Sequence, residues 1–143
     1  MTMSQLPRSF EYDLARVLLV DDDPASRLTL KTVLEAGGYN VDSAASAAEA
    51  VGKLEEGEYE LVLSDLQMES PEAGLEVLAH ARLMDYQPAT ALVTTHLNRD
   101  PNVKLPVLIE PEDLPGLLTK VADLISQRAA RIVAYQMKQA STA

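Results

Sequence analysis

Residues 16–24 read RVLLVDDDP, and this stretch decides the fold. Arg16 to Val20 is a short apolar run of strand length that ends in three aspartates. A strand that is apolar on both faces, rather than on alternate residues, is one buried on both faces, as in a parallel sheet covered by helices. Asp23 can accept hydrogen bonds from the first turn of a following helix, and Pro24 suits the first helical position because its missing N–H has no partner to lose.

The same grammar repeats outward. Leu28, Leu30, Val33 and Leu34 give that helix an apolar face, and Gly37-Gly38 end it. A second strand is expected over Tyr39–Ala44. Ser46 and Glu49 then have the spacing of a capping box for a helix with Ala50, Val51 and Leu54 inward and Gly57 at its end. LVLS at 61–64 is a third strand, delivering Asp65 at its C-terminal end. A third helix is expected over Gly74–Leu83, with Leu75, Val77, Leu78 and Leu83 apolar. TALVT at 90–94 and VLI at 107–109 are the fourth and fifth strands. From Asp113, leucine, valine and isoleucine recur at helical spacing through Val133, so a long final helix reaching Gln136 is expected.

The whole chain has 143 residues, 47% hydrophobic and 24% charged, enough for one good core. Its net charge of -10 repels nucleic acid and anionic membrane surfaces, so neither is expected as a partner. There is no cysteine, which excludes disulfides, thiolate metal sites and thiol catalysis. No secretory core is visible in residues 1–14 and no run approaches membrane-spanning length, so a cytoplasmic location is expected.

Strands alternating with helices imply an α/β fold whose crevice lies at the C-terminal ends of the strands. Those ends carry Asp21, Asp22, Asp65, Thr94 and Glu110. Three carboxylates brought together repel, at about 4 kcal/mol per pair for a 4 Å separation and an effective dielectric near 20. Such a cluster calls for a cation or protons, and Mg2+ suits carboxylate oxygens. Asp65, alone at its strand end, is the best nucleophile toward phosphorus, and the Thr94 hydroxyl can donate to a phosphoryl oxygen. A helix N-terminus decorated with carboxylates would account for Asp23 and one neighbour. It would not account for Asp65. His80 and His96 have no third ligand at metal spacing and read as surface residues.

VLLVDDDPASR, LVLSDLQM, the strand-end Thr94 in ALVTT and Pro111 after the fifth strand together resemble the receiver domains of two-component response regulators. The resemblance covers roughly residues 15–125. It implies a flavodoxin-like, doubly wound, five-stranded parallel sheet in the order 2-1-3-4-5. It also implies Asp21 and Asp22 as the acidic metal pair, Asp65 as phosphoacceptor, Thr94 as switch hydroxyl, and the Gln67 backbone carbonyl as a further Mg2+ ligand. The implied partners are a sensor histidine kinase or histidine phosphotransfer protein and an unidentified output protein.

Four departures mark this chain as atypical. Receivers usually carry a lysine before the proline after the fifth strand, where Glu110 stands here. A carboxylate there removes a charge-assisted contact with the phosphoryl group and impairs phosphorylation or its consequence. Lys104, in the preceding loop, is a weaker source of that cation. The twelve residues 95–106 contain Pro101 and Pro106, so the helix between the fourth and fifth strands is expected to be short or absent. Val107 replaces the usual aromatic of the fifth strand, and Glu69 a common proline.

The expected organisation is an arm over 1–14, a receiver domain over 15–126 and a helix extension with tail over 127–143. The expected function is that of a stand-alone receiver in a phosphorelay, not an enzyme, signalling through protein contacts that include a homodimer through the C-terminal helix. The alternative is a phosphorylation-independent pseudo-receiver. A phosphatase of the haloacid dehalogenase type lacks its late acidic pair here, and a flavodoxin would not place three aspartates where it holds phosphate.

Overall fold

A computed structural model of the chain describes residues 15–66, 68–93, 108–109 and 114–141. In chain order the elements are β1 (Arg16–Val20), α1 (Pro24–Ala36), β2 (Asn40–Ala44), α2 (Ala47–Glu56), β3 (Leu61–Asp65), α3 (Ala73–Arg82), β4 (Ala89–Val93), β5 (Leu108–Ile109) and α4 (Leu114–Ser141). The α/β fold, the parallel sheet and the long last helix follow the expectation.

The strands lie in the order β2-β1-β3-β4-β5, all neighbours parallel. β1 to β4 each contribute five residues, and β5 adds two beside Leu92 and Val93. The chain passes from β1 to β2 on one side and then returns to β3 on the other, so the direction of winding reverses between β1 and β3.

Successive residues of β1 enter opposite cores. Val17 and Leu19 join Leu34 of α1 and Leu117 and Val121 of α4 on one face. Leu18 and Val20 join Leu54 of α2 and Val77 and Leu78 of α3 on the other. Each fully buried leucine contributes on the order of 2 kcal/mol of transfer free energy. This double burial is the physical reason RVLLV does not alternate.

The caps form as read. Asp23 accepts from Ser26 N at 3.1 Å, and Ser46 Oγ accepts from Glu49 N at 3.1 Å. Glu49 reaches back one residue further than a capping box requires, accepting from Ala45 N at 3.0 Å. Gly38 has φ 101, the left-handed conformation that glycine adopts without strain.

Several expectations are corrected. Leu28, 66% exposed, and Leu83, 76% exposed, do not face the core, and Leu75 is also exposed. Small residues at Ala73, Gly74 and Ala81 draw α3 close to the sheet instead, with Val77 and Leu78. The last helix runs past Gln136 to Ser141, through good helix formers without a breaker. The third strand includes Asp65, whose backbone pairs with Val93. His80 is half-buried, its Nε2 3.2 Å from Glu55 Oε1 but not aligned for a hydrogen bond.

Candidate metal centre at the strand ends

β1 and β3 are neighbours in the sheet, so the residues that leave their C-terminal ends meet. Asp21 extends the ladder by one bond, its N–H donating to Ala44 O at 3.0 Å. Its side chain is 4% exposed and accepts at Oδ1 from Asp23 N at 3.0 Å. Arg27, on the first turns of α1, donates from Nη1 to the Asp21 carbonyl at 2.8 Å. Asp21 is thereby fixed from three directions. Asp22 is exposed, and Asp65 is half-buried.

Carboxylate oxygens of Asp21, Asp22 and Asp65 all lie within 4.8 Å of one another. At that separation each pair of charges repels by about 3 kcal/mol with an effective dielectric near 20. Oxygens bound to one Mg2+ at about 2.1 Å lie no more than about 4.2 Å apart, so small side-chain movements would bring this set onto the ion. An all-oxygen, anionic set is the donor chemistry magnesium prefers, and these residues fit it.

The loop after Asp65 is held in place by backbone contacts. Leu66 N donates to Val93 O at 3.2 Å, and Gly74 N to Leu66 O at 3.3 Å. A Cβ at position 74 would lie 2.1 Å from the Asp65 carbonyl oxygen, so only glycine permits this approach of α3. Glu69 Oε1 accepts from Ala47 N at 2.8 Å and joins the loop to the N-terminus of α2, where a carboxylate is favoured.

Of the predicted site residues, the structure brings Asp21, Asp22 and Asp65 together. Thr94, Gln67, Glu110, Val107, Lys104, His96, Pro111 and the connection over 95–106 lie outside the described residues. Sequence reading missed Arg27, Gly74 and the capping role of Glu69. Only Gly74 carried a signal, as a glycine opening an apolar helix where alanine would favour helix formation.

The family model for the response regulator receiver domain matches residues 17–106. The gliding motility regulatory protein of Myxococcus xanthus is 37% identical over 98 residues, covering 68% of this chain and 11% of that protein. The alginate biosynthesis transcriptional regulatory protein AlgB of Pseudomonas putida is 38% identical over 81 residues, 57% of this chain and 18% of that protein. The chain thus spans between a tenth and a fifth of the length of these curated relatives. Among solved structures, the response regulator TrrA of Thermotoga maritima, in complex with Mg2+ and BeF, superposes with a TM-score of 0.68 at 30% identity, covering 78% of this chain and 99% of that one. A CheY-like receiver of Methanospirillum hungatei gives 0.72 at 28%, covering 83% and 99%.

Proposed function

Because the chain belongs to the response regulator receiver domain family of two-component systems, we propose that it takes up a phosphoryl group on Asp65 and relays that event through protein contacts. The observation that carries this reading is the meeting of Asp21, Asp22 and Asp65 within 4.8 Å at the strand ends. Mg2+ would be held by these three carboxylates and the Gln67 carbonyl, and would supply neutralising charge between carboxylate and phosphoryl oxygens. TrrA, similar along nearly its whole length, is the neighbour in complex with Mg2+ and BeF.

In the transfer, an Asp65 carboxylate oxygen forms a bond to phosphorus while the bond from phosphorus to its donor breaks. A phosphohistidine donor leaves as imidazole after taking a proton, and an acyl phosphate leaves as its carboxylate. Asp21, with its orientation set by Asp23 N and the Arg27 guanidinium, holds its place while this occurs. Thr94 would donate its hydroxyl to a phosphoryl oxygen, and Glu110 would weaken the product by offering an anion where the family places a lysine.

The same reading takes residues 15–126 as the receiver, with all five strands in flavodoxin-like order and a short or missing helix before β5. It takes the chain as a cytoplasmic signalling module and not an enzyme. Among the described residues no helix is long and apolar enough to cross a membrane. A sensor histidine kinase or phosphotransfer protein is the donor, and the output is association with another protein, including a second copy through the C-terminal helix.

Incubation with acetyl phosphate and Mg2+, followed by intact mass measurement, is expected to add one phosphoryl group to the wild type and none to Asp65→Asn. Glu110→Lys should raise the phosphorylated fraction several-fold. Equal uptake by wild type and Asp65→Asn would remove Asp65 from this role.

A further inference from the structure

The two sides of the acidic cluster are tied to one short turn. The β1–β3 ladder ends at the pair Val20 and Ser64, one residue before Asp21 and Asp65. Beyond it, the Ala44 carbonyl at the end of β2 accepts from Asp21 N at 3.0 Å and so holds the segment that carries Asp21 and Asp22. Three residues on, Ala47 N donates to Glu69 Oε1 at 2.8 Å and so holds the loop that follows Asp65.

That turn is itself fixed. Ser46 Oγ accepts from Glu49 N at 3.1 Å, Glu49 Oε2 accepts from Ala45 N at 3.0 Å, and Lys53 pairs with Glu49 while donating to Ser43 O. Ala47 N–H is one of the first-turn donors that a helix cannot satisfy from within, and Glu69 takes it. The loop beyond Asp65 is held less closely by its backbone: Leu66 N reaches Val93 O at 3.2 Å, and Met68 N and Ala73 N reach Ser70 O at 3.3 Å. The Glu69 bond is shorter than these and brings a carboxylate to a helix N-terminus, where negative charge is favoured. Glu69 stands outside the group formed by Asp21, Asp22 and Asp65, so its part is not that of a metal ligand.

We propose that Glu69 is a positioning residue for the metal centre. Its bond to Ala47 N holds the β3–α3 loop on the turn that also holds Asp21, and so keeps the two sides together while their carboxylates repel. This deepens the Mg2+ reading above and rests on it. Without the bond the two sides part, and fewer molecules have the three carboxylates spaced for one ion. An ion that binds only that arrangement then binds more weakly, in proportion to the population lost.

Three variants separate the bond from the charge. Ala47→Pro removes only the donor, because proline suits the first helical position, and Ser46 before it is extended, with φ -154 and ψ 164, as a residue preceding proline should be. Glu69→Ala removes acceptor and charge together, and Glu69→Gln removes the charge but keeps the acceptor oxygen. In a Mg2+ titration of the full chain followed by amide NMR shifts, Ala47→Pro and Glu69→Ala should each raise the dissociation constant about three- to fivefold. The double variant should be no weaker than either single one, and Glu69→Gln should change the constant by less than about twofold. Before Mg2+ is added, amide exchange at Met68 should quicken in Ala47→Pro and Glu69→Ala but not in Glu69→Gln. Equal weakening by both Glu69 variants and none by Ala47→Pro would mean that the carboxylate acts through its charge alone, which overturns the proposal. Wild-type Mg2+ affinity in Ala47→Pro and Glu69→Ala, with only the melting temperature lowered, makes the bond merely structural and overturns it equally. Both of these results leave Mg2+ binding by the three aspartates standing, whereas a wild type that takes up no Mg2+ overturns both readings.

Discussion

The approach of α3 to the acceptor strand depends on one missing methyl group. With a Cβ at position 74 only 2.1 Å from the Asp65 carbonyl oxygen, Gly74→Ala must displace backbone on one side or the other. Alanine gains about 1 kcal/mol in helix propensity, but forcing an atom into packed structure costs about 1–3 kcal/mol, and here the obstacle is backbone rather than a yielding side chain. The expected result is a net loss of about 1 kcal/mol or more in urea denaturation, together with weaker Mg2+ binding because Asp65 moves with its carbonyl. A second residue governs alkaline stability. Tyr59 is buried, and its hydroxyl donates to Asp42 Oδ2 at 2.7 Å beneath the Arg16 guanidinium, 4.8 Å from the ring centroid. Burial first, and then the hydrogen bond to Asp42, hold the phenol's proton well above its ordinary 10.0. The folded protein therefore binds this proton more tightly than the unfolded chain. That stabilisation is complete below pH 10 and is lost as pH rises beyond it. Denaturation across pH 7 to 11 should show a plateau followed by a fall, and Tyr59→Phe should lower the plateau by about 1 kcal/mol and make the fall shallower. Tyr39 and Tyr86, also raised by burial, would account for the remaining slope.

At the scale of elements, the sequence was most legible where local chemistry and burial agree. RVLLV reads as a doubly buried strand and is one, because alternate residues enter two cores. Asp23, Ser46 and Glu49 act as caps because their side chains satisfy N–H groups within a few residues, an interaction that needs no knowledge of the fold. Helix faces were less legible. Leu28, Leu75 and Leu83 fit an apolar periodicity, yet all three are exposed. A 3.6-residue repeat indicates a stripe but not its width, and small residues such as Ala73, Gly74 and Ala81 can occupy the buried line. The contacts of Arg27 with the Asp21 carbonyl and of Arg128 with the α3–β4 turn had no local signature, since each depends on where another segment's backbone lies. The acidic cluster was legible for the opposite reason. Parallel strands place every strand end on one side, so aspartates at residues 21, 22 and 65 must converge once β1 and β3 are neighbours.

For the molecule as a whole, a net charge of -10 and three carboxylates concentrated at one end of the sheet oppose folding in different ways. The diffuse part is self-repulsion, which any salt screens, so melting temperature should rise gradually with NaCl. The concentrated part responds to a ligand that the folded chain binds and the unfolded chain does not. At Mg2+ about ten times its dissociation constant, that linkage adds about 1.4 kcal/mol, or roughly 3–5 °C for a chain of this size. Removing one charge separates the two effects. Asp22 is exposed, so the repulsion of about 3 kcal/mol in each of its pairs is reduced by solvent screening. Asp22→Asn should therefore melt at a higher temperature than wild type without Mg2+ and gain less when Mg2+ is added. Calorimetry at matched ionic strength is the measurement. If MgCl2 and NaCl raise the melting temperature of the wild type equally, the strand-end carboxylates do not hold the ion, and the charge they share must be neutralised by protons or by neighbouring cations instead.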